Sequence, residues 1–448
     1  MSQPNILFLM VDCLRADTLW DRQRYPGVPN LDRLAERSSV FNTAVAAATT
    51  TTPSVATMLT GLAPAEHGIR SLLGYKLRPG VRTLAEELRE GGYHTAAETT
   101  GPLFPETELK RGFAHYRRRE RHWYLDTAWG DELRQTLRGG SMPRPWFLFL
   151  HIWELHWPRR ARGSFNDPRY GRTLYQRSVA YVDHLIGQLL DSVDLGNTVV
   201  LLTGDHGEGV AGAIDNPSPA IQLGIQWAYR LTRRLPATTK KRILTLAKNI
   251  ILVGSRRRNA RQPPLGDIRT EVAGHAALCV YDYLVRVPLI VHAPGLAPSA
   301  RIDGQVRHLD IAPTILDAAG LGGYRPGWAA SLLPMARGQQ TADRPAVTEA
   351  LQTMLHDPIR RLIGYRTGQY KLIYAPENPE IPEELYDLKA DPNELHNLAA
   401  SSPQLVAELR QRVEAEARDG RADGAEQRMT AEEEEIIRDR LEQLGYLE

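Results

Sequence analysis

The chain has 448 residues, 42% of them hydrophobic, enough for one large domain with a smaller appendage or for two domains. Its two cysteines, Cys13 and Cys279, exclude a disulfide framework and fit no C-x-x-C metal pattern. Net charge is +2, yet residues 216–266 hold 11 Lys/Arg and no Asp/Glu, which leaves 44 basic against 53 acidic residues elsewhere.

Residues 6–11 form an apolar, strand-like run that ends at Asp12. Residues 30–37 place apolar side chains at helical spacing. Thr49-Thr-Thr-Thr-Pro53-Ser54 then leads into a helix that runs to Gly61. Pro53 suits its first position, where a missing N–H would be unpaired anyway. A helix over 81–89 precedes a short strand at 93–97. Trp146-Phe-Leu-Phe-Leu-His151 is a continuous apolar run, as expected of a strand covered on both faces. Helical periodicity over 178–190 is followed by strands at 198–202 and 287–292. This alternation predicts an α/β fold with a large, mainly parallel sheet between helices. Residues 216–266 interrupt it as a basic helical insertion. Beyond Asp310 a smaller subdomain begins, with a hairpin over 360–374 that turns at Thr367-Gly368. A charged helix over 430–444 is capped by Thr430, with Glu433 three residues on. The expected divisions are a catalytic domain over 1–320, a C-terminal subdomain over 321–400 and a helical tail over 401–448.

Parallel strands deliver side chains to the carboxyl edge of their sheet. Two of these strand ends carry metal-binding residues, Asp12 in one and Asp205-His206 in the other, within Gly204-Asp-His-Gly-Glu208. A carboxylate offers a hard oxygen that suits Ca²⁺, Mg²⁺ or Mn²⁺, and the imidazole tilts the choice toward Mn²⁺ or Zn²⁺ without excluding Ca²⁺. A Thr just before Pro53 lies at a helix N-terminus, where backbone donors and the dipole favour an anion. Spacing alone leaves Thr50, Thr51 and Thr52 open as the nucleophile. Ser54 and Thr52 are candidates for contact with the substrate.

The quoted stretches, together with Pro29-Asn-Leu-Asp-Arg-Leu-Ala and Pro53-Ser-x-Ala-Thr-Met-Leu-Thr-Gly61, resemble the sulfatase family of the alkaline phosphatase superfamily. So do Arg286-Val-Pro-Leu-Ile-Val, Asp310-Ile-Ala-Pro-Thr-Ile-Leu-Asp317 and the segment from Glu384 to Asn397. The resemblance runs collinearly over residues 4–400. It implies an alkaline-phosphatase-like α/β domain, a smaller C-terminal α/β subdomain and one divalent cation held by Asp12, Asp205 and His206. It also implies catalytic positions for Thr51, for His156 in Glu154-Leu-His-Trp-Pro158 and for His275 in Gly274-His-Ala-Ala-Leu.

Three departures separate this chain from the common sulfatase pattern. Sulfatases carry Cys-x-Pro-x-Arg, whose Cys becomes formylglycine; here the stretch reads Thr51-Thr-Pro53-Ser-Val55, so an unmodified alcohol stands at the nucleophile position. Many sulfatases have paired Asp after the first strand; here the pair is Asp12-Cys13, a pattern similar to the phosphonate monoester hydrolase and phosphodiesterase branch. The sulfate-binding Gly-Lys-Trp-His-Leu-Gly stretch is replaced by Ala97-Glu-Thr-Thr-Gly-Pro102.

The expected activity is metal-dependent cleavage of a sulfate or phosphate ester through a Thr nucleophile. The alternatives are a phosphodiesterase or phosphonate monoester hydrolase, a phosphoethanolamine- or phosphoglycerol-type transferase acting on a lipid or glycan, and a catalytically dead binding protein on the same fold. Substrates are expected to be small-molecule, lipid or glycan esters. The insertion reads as a solvated excursion, as an amphipathic helix against anionic membrane, or as a docking surface for a polyanionic substrate. Nucleic acid is not an expected partner, because no recognised module accompanies the charge; a homo-oligomer is left open. No apolar run reaches the roughly 20 residues of a membrane-spanning helix. The opening Met1-Ser-Gln-Pro-Asn lacks the marks of a signal peptide, so the expected location is cytoplasmic, with peripheral membrane contact through 216–266 as an option.

Overall fold

A computed structural model of the protein describes residues 3–120, 123–157, 159–209, 279–297, 300–324, 327–339, 344–351, 361–419 and 427–444. His275 and the insertion at 216–266 lie outside the described residues. Nine strands form the large sheet: β1 Asn5–Val11, β2 Ser39–Val45, β3 His94–Thr99, β4 His115–Arg118, β5 Trp146–Ile152, β6 Thr198–Gly204, β7 Arg286–His292, β8 Ala300–Ile302 and β9 Val306–Arg307. Their order is β4-β3-β5-β1-β6-β7-β2-β8, with β9 also beside β2. The sheet is parallel except at β7, which runs against both β6 and β2.

Every residue of β1, β5 and β6 is buried. Period-two alternation sends their side chains to opposite faces. Ile6, Phe8, Met10, Phe147, Phe149, Val199 and Leu201 enter one core, which also holds Val55, Met58 and Leu59. Leu7, Leu9, Val11, Leu148, Leu150, Val200 and Leu202 enter the other, with Leu31, Leu34, Val179 and Leu185. Helices on both faces leave no solvated side, which is why these strands read as unbroken apolar runs. The helix α1, Pro29–Ala35, covers the second face, and α2, Thr51–Thr60, covers the first.

The helix α2 starts at Thr51, two residues before the position expected from Pro53. A proline in the first turn costs no intrahelical bond, so it fixes the turn without fixing which residue opens it. The helix stops at Gly61, where φ is 68°, a left-handed conformation that glycine adopts without penalty. Two other helices begin where their caps are: Leu84–Glu90 follows Thr83, and Leu174–Leu190 follows Thr173. Each cap hydroxyl accepts the third helical N–H, from Glu86 and Gln176 respectively. Among the described residues no helix is long and apolar enough to cross a membrane.

A second, antiparallel sheet is formed by β10 Ala346–Ala350, β11 Leu362–Arg366, β12 Tyr370–Tyr374 and β13 Glu384–Asp387. The helix Pro403–Asp419 packs Val406, Leu409 and Val413 on its face. The helix Ala431–Leu444 carries the expected cap, with the Glu433 N–H donating to Thr430 Oγ1 at 3.2 Å. It lays Ile437 and Leu441 against Leu72, Leu73 and Phe104.

A buried ion cluster joins the two sheets. Asp282, just before β7, accepts from Arg366 at 2.9 Å and from Lys371 at 2.9 Å, while Lys371 also pairs with Glu394 at 2.7 Å. Burial opposes the charge on Asp282, but Arg366 and Lys371 prevail and hold its carboxyl below the usual range. Asp282→Ala would remove the carboxylate that Arg366 and Lys371 share, leaving Lys371 with Glu394 alone, and is expected to cost about 3–5 kcal/mol in denaturant unfolding. Because the folded carboxyl is the stronger acid, this contribution is complete above about pH 4 and is lost on further acidification. An Asp282→Asn variant should lack that part of the acid-induced loss.

Candidate active site

Strands β5, β1 and β6 lie in register and end at one level, with Val11 opposite both Ile152 and Gly204. Their ends therefore bring Asp12, His151 and Asp205 together at the carboxyl edge. Asp12 is fully buried. Its Oδ2 accepts from Thr51 Oγ1 at 3.3 Å and lies 3.1 Å from His151 Nε2, and its Oδ1 accepts from Cys13 Sγ at 2.8 Å. His151 Nδ1 lies 3.1 Å from the Thr100 carbonyl, which can only accept, so Nδ1 carries a proton.

Asp205 Oδ1 accepts the N–H groups of Cys13 at 3.0 Å and His206 at 2.8 Å. Its Oδ2 is buried and accepts no hydrogen bond among the described residues. His206 donates from Nδ1 to the Gly207 carbonyl at 2.7 Å, and its Nε2 faces Asp205 Oδ2 at 3.4 Å. Gly207 has to be glycine here, because a Cβ would lie 2.1 Å from the Tyr283 carbonyl oxygen.

The electrostatics of this edge are unbalanced. Burial works against the charge on Asp12, but the His151 hydrogen bond and the fields of His156, His151 and His206 hold it ionised, well below the usual carboxylate range. Burial, and then the charge on Asp12, push Asp205 up. Burial disfavours charge on His206, yet Asp205 and Asp12 raise its basicity. Two buried carboxylates side by side call for a cation. Atoms of Asp12, Cys13 and His206 lie within 4.8 Å of one another and form a possible metal site. Asp205 Oδ2, which accepts no hydrogen bond among the described residues and lies 3.4 Å from His206 Nε2, offers such an ion a further oxygen donor.

Thr51 is the first residue of α2, so its hydroxyl sits at the positive end of a ten-residue helix. The other two candidate hydroxyls brace this turn. Thr52 Oγ1 donates to the Pro102 carbonyl at 3.0 Å and Ser54 Oγ to the Ala48 carbonyl at 2.9 Å. Further along α2, Thr57 Oγ1 meets His67 Nε2 at 3.1 Å, while His67 Nδ1 accepts the Ile69 N–H at 3.1 Å. His156 is buried and stacks on Trp153 with ring centroids 3.6 Å apart.

His151 and Cys13 were not among the expected site residues. His151 reads in the sequence only as the last residue of an apolar run, and its partner Asp12 lies 139 positions away. Arg119 was missed as well. Fully buried, it donates to the His151 carbonyl at 2.7 Å, lies 3.5 Å from Glu154 and rests over Trp129. Arg15 and Arg159 tie down the Asp-His-Gly-Glu turn. Arg15 donates to the Glu208 carbonyl at 2.8 Å, and Arg159 pairs with the Glu208 carboxylate.

Residues 4–321 match the family model described as sulfatase, and residues 276–419 match the one described as N-sulphoglucosamine sulphohydrolase, C-terminal. The choline-sulfatase of Rhizobium meliloti (strain 1021) is 26% identical over 450 residues, covering 89% of this chain and 83% of that protein. Arylsulfatase K of Mus musculus is 29% identical over 156 residues, covering 33% of this chain and 28% of its own length. Among solved structures, the phosphonate monoester hydrolase of Silicibacter pomeroyi superimposes with a TM-score of 0.67 at 19% identity, covering 93% of this chain and 96% of that one.

The bracing of α2 has a pH signature. Burial pushes His67 down to about 3, from an ordinary value of 6.5. A histidine that stays neutral in the fold but protonates when unfolded stabilises the fold fully above pH 6.5 and progressively less down to about 3. Unfolding free energy followed over that window should fall on acidification, and His67→Gln should flatten the slope.

Proposed function

The chain belongs to the sulfatase family, and on that premise we propose that it is a metal-dependent hydrolase in which Thr51 attacks the phosphorus or sulfur of an ester. Family membership makes it a hydrolase of sulfate or phosphate esters. The observation that carries the finer reading is the Thr51 hydroxyl, 3.3 Å from Asp12 Oδ2 at the opening of α2.

Asp12, Asp205 and His206 would hold one divalent cation; these oxygen and nitrogen donors by themselves suit Ca²⁺ or Mn²⁺ first, with Mg²⁺ and Zn²⁺ also compatible. Such an ion supplies positive charge that eases ionisation of the Thr51 hydroxyl and offsets charge building on the ester oxygens. Asp12, itself ionised, orients the hydroxyl through the hydrogen bond it accepts. The α2 N-terminus faces the anionic ester with its positive end. As the Thr51 proton passes to water, a bond forms from Thr51 Oγ to phosphorus or sulfur and the bond to the leaving oxygen breaks. His156 protonates that oxygen, a role His275 shares on its motif alone. Water then cleaves the covalent Thr51 ester.

Phosphorus is the better fit to Thr51. A formylglycine hydrate can expel sulfate by elimination, whereas a sulfated threonine has to be opened by attack at sulfur. A phosphorylated threonine is opened by ordinary in-line attack of water.

Aryl sulfate, aryl phosphate, aryl phosphodiester and aryl phosphonate, each assayed with Mn²⁺, Ca²⁺, Mg²⁺ or Zn²⁺, test this directly. Diester or phosphonate turnover is expected, abolished by chelation and reduced roughly 10³-fold or more in Thr51→Ala. Aryl sulfate turnover lost in the same variant would move the reaction to sulfur. Undiminished turnover in Thr51→Ala would remove Thr51 from the chemistry. His156→Gln is expected to lose about 10²–10⁴-fold on alkyl leaving groups and far less on nitrophenolate, which needs no proton.

A further inference from the structure

Cys13 is an odd occupant of its position. Its thiol is fully buried, yet it faces charge rather than an apolar core, with Sγ 2.8 Å from Asp12 Oδ1. The backbone is clamped so that the thiol stays there. Its N–H donates to Asp205 Oδ1 at 3.0 Å, and its carbonyl accepts from Tyr175 Oη at 2.7 Å. At φ 59° it adopts a left-handed conformation that few side chains take. A cysteine that merely filled space would need none of this.

A second observation points to a ligand. Sγ, a carboxylate oxygen of Asp12 and a ring nitrogen of His206 lie within 4.8 Å of one another. Asp205 Oδ2, buried 3.4 Å from the Nε2 of that same His206, accepts no hydrogen bond among the described residues.

We propose that Cys13 Sγ is a donor to the same cation as Asp12, Asp205 and His206, which makes the centre a mixed oxygen–nitrogen–sulfur site selective for a borderline-soft ion, Zn²⁺ before Ca²⁺. This rests on the reading that a cation binds at these strand ends. Two carboxylates alone suit hard ions, and an imidazole broadens the range. A thiolate shifts preference decisively, because sulfur binds Zn²⁺ and Co²⁺ well and Ca²⁺ poorly. The thiol proton leaves to water as the ion binds.

The test uses the full-length protein, stripped of metal and titrated with Co²⁺, and reads absorbance as well as stoichiometry. Wild type should take up one Co²⁺ and develop a near-ultraviolet thiolate-to-cobalt charge-transfer band. With only two cysteines in the chain, persistence of the band in Cys279→Ser assigns it to Cys13 even if Cys13→Ser fails to fold. In folded Cys13→Ser the band should vanish and Zn²⁺ affinity should fall at least about tenfold relative to Ca²⁺. Cys13→Asp should move preference toward Ca²⁺ and Mn²⁺. One bound Co²⁺ with no band, or a band that survives in Cys13→Ser, overturns the thiolate ligand while leaving the cation in place. No uptake of Co²⁺, Zn²⁺, Mn²⁺ or Ca²⁺ by wild type would overturn the cation reading and this inference with it.

Discussion

Two buried carboxylates set side by side, Asp12 and Asp205, are the constraint around which this molecule is arranged. Both are fully buried, and among the described residues the groups that face them are three histidines, the Thr51 hydroxyl, the Cys13 thiol and a few N–H groups. Such a pair is costly unless a positive charge enters between its members. The surrounding architecture supplies the conditions for that. Strands β1, β5 and β6 end at one level, α2 aims its positive end at the same spot, and buried arginines hold the surrounding turns.

Rigidity around the pair comes from polar groups. Arg119 fixes the end of β5 through the His151 carbonyl, Arg15 and Arg159 fix the turn after Asp205, and Thr52 and Ser54 fix the start of α2. Each makes a specific bond where an aliphatic side chain could only fill volume. The arrangement holds the hydroxyl proposed as nucleophile and a candidate ion pocket in fixed relation, which ester attack demands.

Much of this was legible in the sequence. The apolar runs of β1, β5 and β6 announce strands covered on both faces, and the residues that end them, Asp12 and Asp205-His206, announce an edge rich in candidate metal donors. Thr430 with Glu433 marked a helix start correctly. The opening of α2 was misplaced by two residues, because a proline fits several positions of a first turn. His151, Cys13 and Arg119 stayed hidden for a common reason: their roles depend on which strand lies beside which, and no local pattern encodes that. Cys13 in particular reads as a small hydrophobe until Asp205, 192 positions on, is found bonded to its N–H.

The helix Ala431–Leu444 rests on Phe104, two residues beyond the Pro102 carbonyl that accepts the Thr52 hydroxyl's hydrogen bond. Its Arg440 also reaches back across 334 positions to Glu106. A ribosome therefore has to add this helix before the loop behind the Thr51 turn acquires its outer support. A nascent chain halted short of residue 431 would already contain every residue assigned here to the chemistry, yet it would lack the clamp that keeps that loop in place.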